Sequence, residues 1–222
     1  MTYDQILHNL RNNINFSFSR WGDGEWTAAL RLKLGHKSNC DGHQYFEDMG
    51  RELLAILESK PKYYMGLQPL AVSLMGDEIG PYLDEIDWCD ADVLHKASQQ
   101  GQLDMFIDAL KGRNVGYVGS DDRIAAKFGW AFTRIPDHNC WLRVDETLDC
   151  IRSGLSYQKD AVILFSASMA ANVMIDRLYQ GCGTLHTFID VGSVFDPYIG
   201  KATRKYHNQI INREHQRSNT VS

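Results

Sequence analysis

Apolar and polar residues alternate along Ile14-Asn15-Phe16-Ser17-Phe18-Ser19, the period-two pattern of a strand with one face buried. Before it, Ile6, Leu7 and Leu10 share one side of a helix expected over residues 4–13. After it, apolar positions from Thr27 to Leu34 recur at helical spacing, and Gly35 is a suitable stop. A polar loop with Asp41 and Gly42 leads to a helix whose core stripe is Phe46, Met49, Leu53, Leu54 and Leu57, ended by Lys60-Pro61. Further strands are expected at 63–67, 88–94, 115–118, 133–135, 161–165 and 185–189. Between them lie short helical pieces over 69–83, broken by Gly76, Gly80 and Pro81, and a helix capped by Ser98 that runs through Leu103, Phe106, Ile107 and Leu110 to Gly112. Helices at 124–130, 145–151 and 169–179 complete the series. Ala161-Val162-Ile163-Leu164-Phe165 is apolar without interruption, as a central strand covered on both faces requires.

Strands alternating with helices predict an α/β fold: an open, mostly parallel layered sheet with helices on both faces, in the Rossmann-like manner. Residues 1–200 read as one domain and 201–222 as a basic tail, with Lys201, Arg204, Lys205, Arg213 and Arg217 against Glu214. A hydrophobic share of 44% and a charged share of 23% are those of a soluble globular chain, which excludes a disordered one. No apolar run reaches membrane-spanning length, and Met1-Thr2-Tyr3-Asp4-Gln5 lacks the basic and apolar blocks of a secretory signal. The expectation is a cytoplasmic protein with no membrane partner. Five widely spaced cysteines without a Cys-x-x-Cys pair argue against a disulfide framework and against structural zinc. The formal charge of -5 gives no global attraction to nucleic acid; the tail is a local exception, either solvated or directed at a phosphate-rich partner. Nothing in the pattern sets the oligomeric state.

Candidate chemistry gathers where strands end. Asp23, Ser120, Ser166, Ser168 and Asp190 each lie just past a predicted strand, and in open α/β sheets that edge forms the ligand crevice. The first of these turns is Arg20-Trp21-Gly22-Asp23-Gly24-Glu25-Trp26. If its backbone stays extended, Asp23 and Glu25 point the same way, and Gly22 and Gly24 allow close approach of a ligand. Such a pair suits magnesium or manganese, which keep several waters and take other ligands from phosphates. Alternatively Asp23 is a helix N-cap and Glu25 a first-turn acid favoured by the helix dipole; the two readings are compatible. There is no Walker phosphate loop, no Gly-x-Gly-x-x-Gly after a strand and no Gly-x-Ser-x-Gly elbow.

Four short segments, in order, resemble the GT-D type glycosyltransferases, a family first catalogued as a bacterial domain of unknown function. They are Ser19-Arg20-Trp21-Gly22-Asp23-Gly24-Glu25, Asn139-Cys140-Trp141, Ser166-Ala167-Ser168-Met169-Ala170 and Ile189-Asp190-Val191-Gly192-Ser193. The third departs from the glycine- and threonine-containing turn of the family. The resemblance implies that Asp23 and Glu25 hold Mn2+ or Mg2+ against the diphosphate of a nucleotide sugar, most plausibly a UDP-hexose. Ser166 and Ser168 would then bind phosphate or nucleotide, with Gly22, Gly24, Ser120, Asn139, Ser193 and Arg204 as further donor-site positions. Arg20 either grips phosphate or pairs with a core acid. Asp190 and Asp196 are the candidates for activating the acceptor hydroxyl, or else turn-forming acids. Trp21, Trp26 and Trp141 stack on a sugar or base, or belong to the core. The acceptor is a bacterial glycan or, given the basic tail and short chain, a hydroxymethylated pyrimidine in DNA, flipped from the duplex as some phage systems require. A non-catalytic nucleotide-sugar-binding module and a metal-dependent phosphohydrolase are the alternatives.

Overall fold

The computed structural model describes residues 1–31, 39–40 and 42–212. The helices are α1 (Tyr3–Arg11), α2 (Asp23–Leu30), α3 (Glu47–Ser59), α4 (Pro69–Leu83), α5 (Val93–Gln99), α6 (Leu103–Ala109), α7 (Asp122–Phe128), α8 (Val144–Leu155) and α9 (Ala170–Cys182). The strands are β1 (Ser17–Trp21), β2 (Asn39–Cys40), β3 (His43–Gln44), β4 (Tyr64–Leu67), β5 (Trp88–Asp90), β6 (Val115–Gly119), β7 (Ala131–Arg134), β8 (Val162–Phe165) and β9 (Thr187–Asp190). Seven strands form one sheet in the order β5-β4-β1-β9-β8-β6-β7, and β2 with β3 makes a separate small hairpin. Every pairing in the large sheet is parallel.

Side chains alternate across the strands and build a core on each face. Phe18, Tyr117, Leu164 and Ile189 pack with residues of α1, α5, α6 and α7. Trp21, Phe165 and Phe188 pack with residues of α2, α3, α8 and α9. The continuous apolar run at β8 is buried throughout, as a strand covered on both faces must be. From β8 the chain passes over α9 to β9, whereas from β6 it passes over α7 to β7 on the opposite face. Such a reversal leaves a crevice at the carboxyl edge, and the all-parallel order places every strand end there.

Three expectations are corrected. Helix α2 starts at Asp23 instead of Thr27, because Gly22 serves as its N-cap. The strand expected over 88–94 stops at Asp90, and Val93 and Leu94 open α5. Ser98 therefore sits buried within α5 instead of capping the next helix. The helical pieces expected over 69–83 are present as two helices that meet at a kink at Met75 (φ -138°, ψ 24°), beside Gly76, with no further break at Gly80 or Pro81. The expected stop at Gly35 and the loop acid Asp41 lie outside the described residues, as do Arg213, Glu214 and Arg217.

The described part of the C-terminal segment is packed down. Lys201 pairs with Asp121 at 2.9 Å, residues 207–212 are helical, and His207 and Ile210 are buried. Among the described residues no helix is long and apolar enough to cross a membrane. Cys89, Cys140, Cys150 and Cys182 are free thiols.

Candidate functional site

The junction of β1 and α2 is shaped by glycine. Gly22 is extended (φ -108°, ψ -168°), and a Cβ there would stand 2.8 Å from Gln68 Oε1. Its N–H donates to Glu25 Oε2 at 2.9 Å, so Glu25 closes the first turn of the helix upon its own cap. The extended reading of Asp23 and Glu25 is thereby overturned. They are the first and third helical residues, about 200° apart around the axis, and do not point the same way. As a first-turn acid Glu25 is as the alternative had it, while the cap itself is Gly22. Gly24 is buried inside the helix.

Trp21 and Trp26 are fully buried, with ring centroids 5.4 Å apart and Trp88 packed on both. They are core residues, which removes them as stacking platforms for a sugar. Trp141 is also buried, with the Arg177 guanidinium 5.9 Å from its ring centre.

Beside Glu25, at the end of β9, Asp190 is buried and accepts hydrogen bonds from the Gly192 N–H (2.9 Å) and the Arg20 N–H. Burial pushes the Glu25 carboxyl up to about 7, and the nearby charge of Asp190 adds to the rise. Burial likewise raises Asp190, while the Arg20 guanidinium pulls it back. Arg20 is held by the Ala91 carbonyl through Nε (2.8 Å) and by Asp92 through Nη2 (3.4 Å). Its Nη1 lies against Gly192, whose φ of +51° and lack of Cβ make room for it. From α9, Asn172 donates to the Arg20 carbonyl at 2.8 Å, and its Oδ1 is buried without a partner among the described residues. The ends of β1 and β9 and the first turn of α9 thus assemble two carboxyls, a guanidinium and an orphaned amide oxygen.

The other expected positions lie along the same edge in separate groups. Ser166 meets the Tyr117 hydroxyl, which burial raises beyond the ordinary phenol range and which also feels Asp196 and Asp121. Asp196 accepts from the Thr203 hydroxyl at 2.6 Å, and burial raises its carboxyl. The Arg123 fork and Lys201 hold Asp121 well below the usual carboxylate range. Ser168 (φ +48°) and Asn139 (φ +55°) line a crevice the size of a water molecule together with Phe46, Met49 and Trp141. Asn139 Oδ1 accepts from the Gln44 N–H at 2.8 Å, so it ties down the β2–β3 hairpin. Ser120 donates to Asp137 at 2.8 Å. Ser193 Oγ is buried without a partner among the described residues. Arg204 is exposed and stands close enough to lower His95 and Tyr206 by its charge.

A divalent ion fits these residues poorly. Asp23 and Glu25 diverge, Glu25 is committed to Gly22, and among the described residues no three His, Cys, Asp or Glu side chains converge on one point. Sequence reasoning missed His95, Asn172 and Tyr206. Each is a single polar residue in a helical or tail segment, and only the sheet order brings it to the edge.

No protein-family model and no curated protein sequence matches this chain. Solved structures do. One, described as a domain of unknown function 1792 with a distinct glycosyltransferase fold, aligns with a TM-score of 0.67 at 18% identity over 90% of this chain and 79% of its own. A selenomethionine-substituted structure of the same domain gives 0.66 at 18% identity over the same shares. A glycosyltransferase (DUF1792) from Streptococcus sanguinis gives 0.63 at 15% identity over 90% and 82%. The chain has this glycosyltransferase fold. At such identity the likeness concerns the fold, and within it the carboxyl edge with Glu25, Asp190 and Arg20 is the candidate active site.

Proposed function

We propose that the protein is a glycosyltransferase that moves a hexose from a nucleotide diphosphate sugar, a UDP-hexose, to an acceptor hydroxyl. The observation that supports this reading above others is the pair of half-buried Glu25 and buried Asp190, set beside Arg20 at the carboxyl edge of a glycosyltransferase fold. Transfer breaks the bond between the anomeric carbon and the diphosphate oxygen and forms one to the acceptor oxygen. The leaving diphosphate gains negative charge. The amides at the starts of α2 and α9 and the Arg20 guanidinium are the groups suited to meet it. The acceptor hydroxyl gives up its proton to a carboxylate at the edge, Glu25 or Asp190.

Asp23 and Glu25 diverge around the first turn of α2, so no step is assigned to a metal. Among acceptors, a glycan hydroxyl is favoured over DNA. Lys201 is engaged by Asp121, and the buried His207 and Ile210 anchor this part of the basic segment to the domain.

The test is mass spectrometry of glycan acceptors and of hydroxymethylated DNA, incubated with the protein and a panel of nucleotide sugars, with and without manganese. A hexose increment on an acceptor, abolished by Asp190→Asn in a folded protein, is the expected result. Phosphate release from nucleotides without sugar transfer would replace the reading with a phosphohydrolase. Nucleotide-sugar binding without turnover would make the chain a binding module.

A further inference from the structure

Exposed apolar side chains gather at the amino edge of the sheet, the end opposite the candidate active site. Four adjacent strands, β4, β1, β9 and β8, are each entered past one of them. Tyr64 opens β4 and is 42% exposed; Ile14, three residues before β1, is 46% exposed. Leu185, two residues before β9, is 67% exposed, and Tyr157, five before β8, is 90% exposed. The alternation along 14–19 continues into β1 only from Ser17, which leaves Ile14 outside the core that Phe16 and Phe18 enter.

Asn15 holds this surface firm. Its Nδ2 donates to Asp160 Oδ1 (2.9 Å) and to the Leu185 carbonyl (3.0 Å), and its Oδ1 accepts from the Thr187 hydroxyl (3.0 Å). Arg113 adds a bond to the Asp160 carbonyl at 2.8 Å. One side chain thus ties together the segments that enter β1, β8 and β9, and the Phe16 ring meets Tyr64 edge-on at 6.5 Å to join β4. Backbone fixed in this way has little freedom left to lose when a partner covers it. Charge is scarce on these segments. Among residues 12–16, 62–66, 156–160 and 183–187 the one carboxylate is Asp160, taken up by Asn15 and drawn to Arg113, and the lysines are Lys62 and Lys159. Both lysines are exposed, on stems long enough to carry the ammonium out to a solvated rim.

At about 200 Å² for a tyrosine and somewhat less for an aliphatic side chain, these exposures amount to roughly 400 Å² of largely apolar surface. A stable protein interface takes about 800 Å² from each partner, rather more than half of it apolar, with aromatic residues enriched and charge depleted at its centre. The four side chains supply most of the apolar centre that one such interface needs. A lipid surface instead selects a strongly basic face, and two lysines are few. A second copy seated on the amino edge also leaves both carboxyl edges open. We propose that the amino edge around Ile14, Tyr64, Tyr157 and Leu185 is where two copies of this chain associate, back to back about a twofold axis, so that the same edge serves both partners.

Sedimentation of the full chain across roughly 1–100 μM, the weaker end of the range for interfaces of this size, tests the proposal. The parent should sediment as a dimer at the upper end. Leu185→Glu and Tyr157→Glu each bring two acids together across the twofold axis and should weaken association about hundredfold or more, leaving a monomer. Both residues are exposed in the single chain, so circular dichroism should show the variants folded. Leu70→Glu, at a leucine 53% exposed just past the carboxyl end of β4, should leave the dimer intact. A parent that stays monomeric throughout would overturn the proposal. So would a dimer that both amino-edge variants keep, or one that only Leu70→Glu dissociates. A monomer that floats with phosphatidylglycerol vesicles, and loses that binding in the amino-edge variants, would make the edge a membrane-facing surface and overturn it as well. Sedimentation is independent of the transferase reading, so either can fail alone.

Discussion

Replacing Glu25 with glutamine separates the charge of this side chain from its shape. A glutamine oxygen accepts from the Gly22 N–H as the carboxylate does, so the first turn of α2 stays capped. The charge is what the site resists: burial moves the carboxyl from 4.5 to about 7. Because the folded form holds the proton more tightly than the unfolded one, this group's stabilisation is complete below pH 4.5 and is lost as pH rises through about 7. At 1.36 kcal/mol per pH unit, the ionised parent carries a penalty of about 3 kcal/mol above pH 7 that the variant lacks. Glu25→Gln should therefore match the parent near pH 4 and exceed it by up to about 3 kcal/mol at pH 8, or about 6–12 °C in melting temperature. Urea unfolding across that range measures the difference. Transfer should fall by about 10² or more if the carboxylate takes the acceptor's proton. A variant less stable than the parent at pH 8, or one with the same pH slope, would refute the placement of a desolvated carboxyl at this turn.

Gly192→Ala forces a side chain into Arg20 Nη1 at a positive φ, and should cost about 1–3 kcal/mol in urea unfolding while weakening donor binding. Asn172→Ala removes the donor to the Arg20 carbonyl; a loss of about 1–3 kcal/mol is expected, and a neutral result in thermal melting would show that the carbonyl finds another partner. Trp26→Ala should cost about 3–5 kcal/mol, whereas Trp26→Phe, if it folds, should keep KM for the donor unchanged, since a fully buried ring does not touch sugar.

Much of the fold was legible because its main signals are local. The alternation before Arg20, the unbroken apolar run of β8 and the helical stripes of α1, α3 and α9 each record which face is buried. What escaped was set by competition between neighbours. Asp23 lies between two glycines and Glu25 follows the second, so spacing alone did not decide between extended chain and helix; the hydrogen bond from Gly22 to Glu25 decides it. Ser98 has the chemistry of a cap, yet packing of α5 against the sheet claims it for the interior. At the edge, Asp190 was foreseeable as an acid just past a strand. His95, Asn172 and Tyr206 were not, since each reaches the edge only through a crossover or a folded-back tail, and no local period encodes that.

A crystal structure with UDP bound tests the donor assignment most directly. The diphosphate should lie at the carboxyl edge across the ends of β1 and β9, within hydrogen-bond reach of the α2 or α9 amides or of Arg20, with Glu25 and Asp190 beside it. Nucleotide bound at the amino edge of the sheet, or on an outer helix away from β1 and β9, would contradict it.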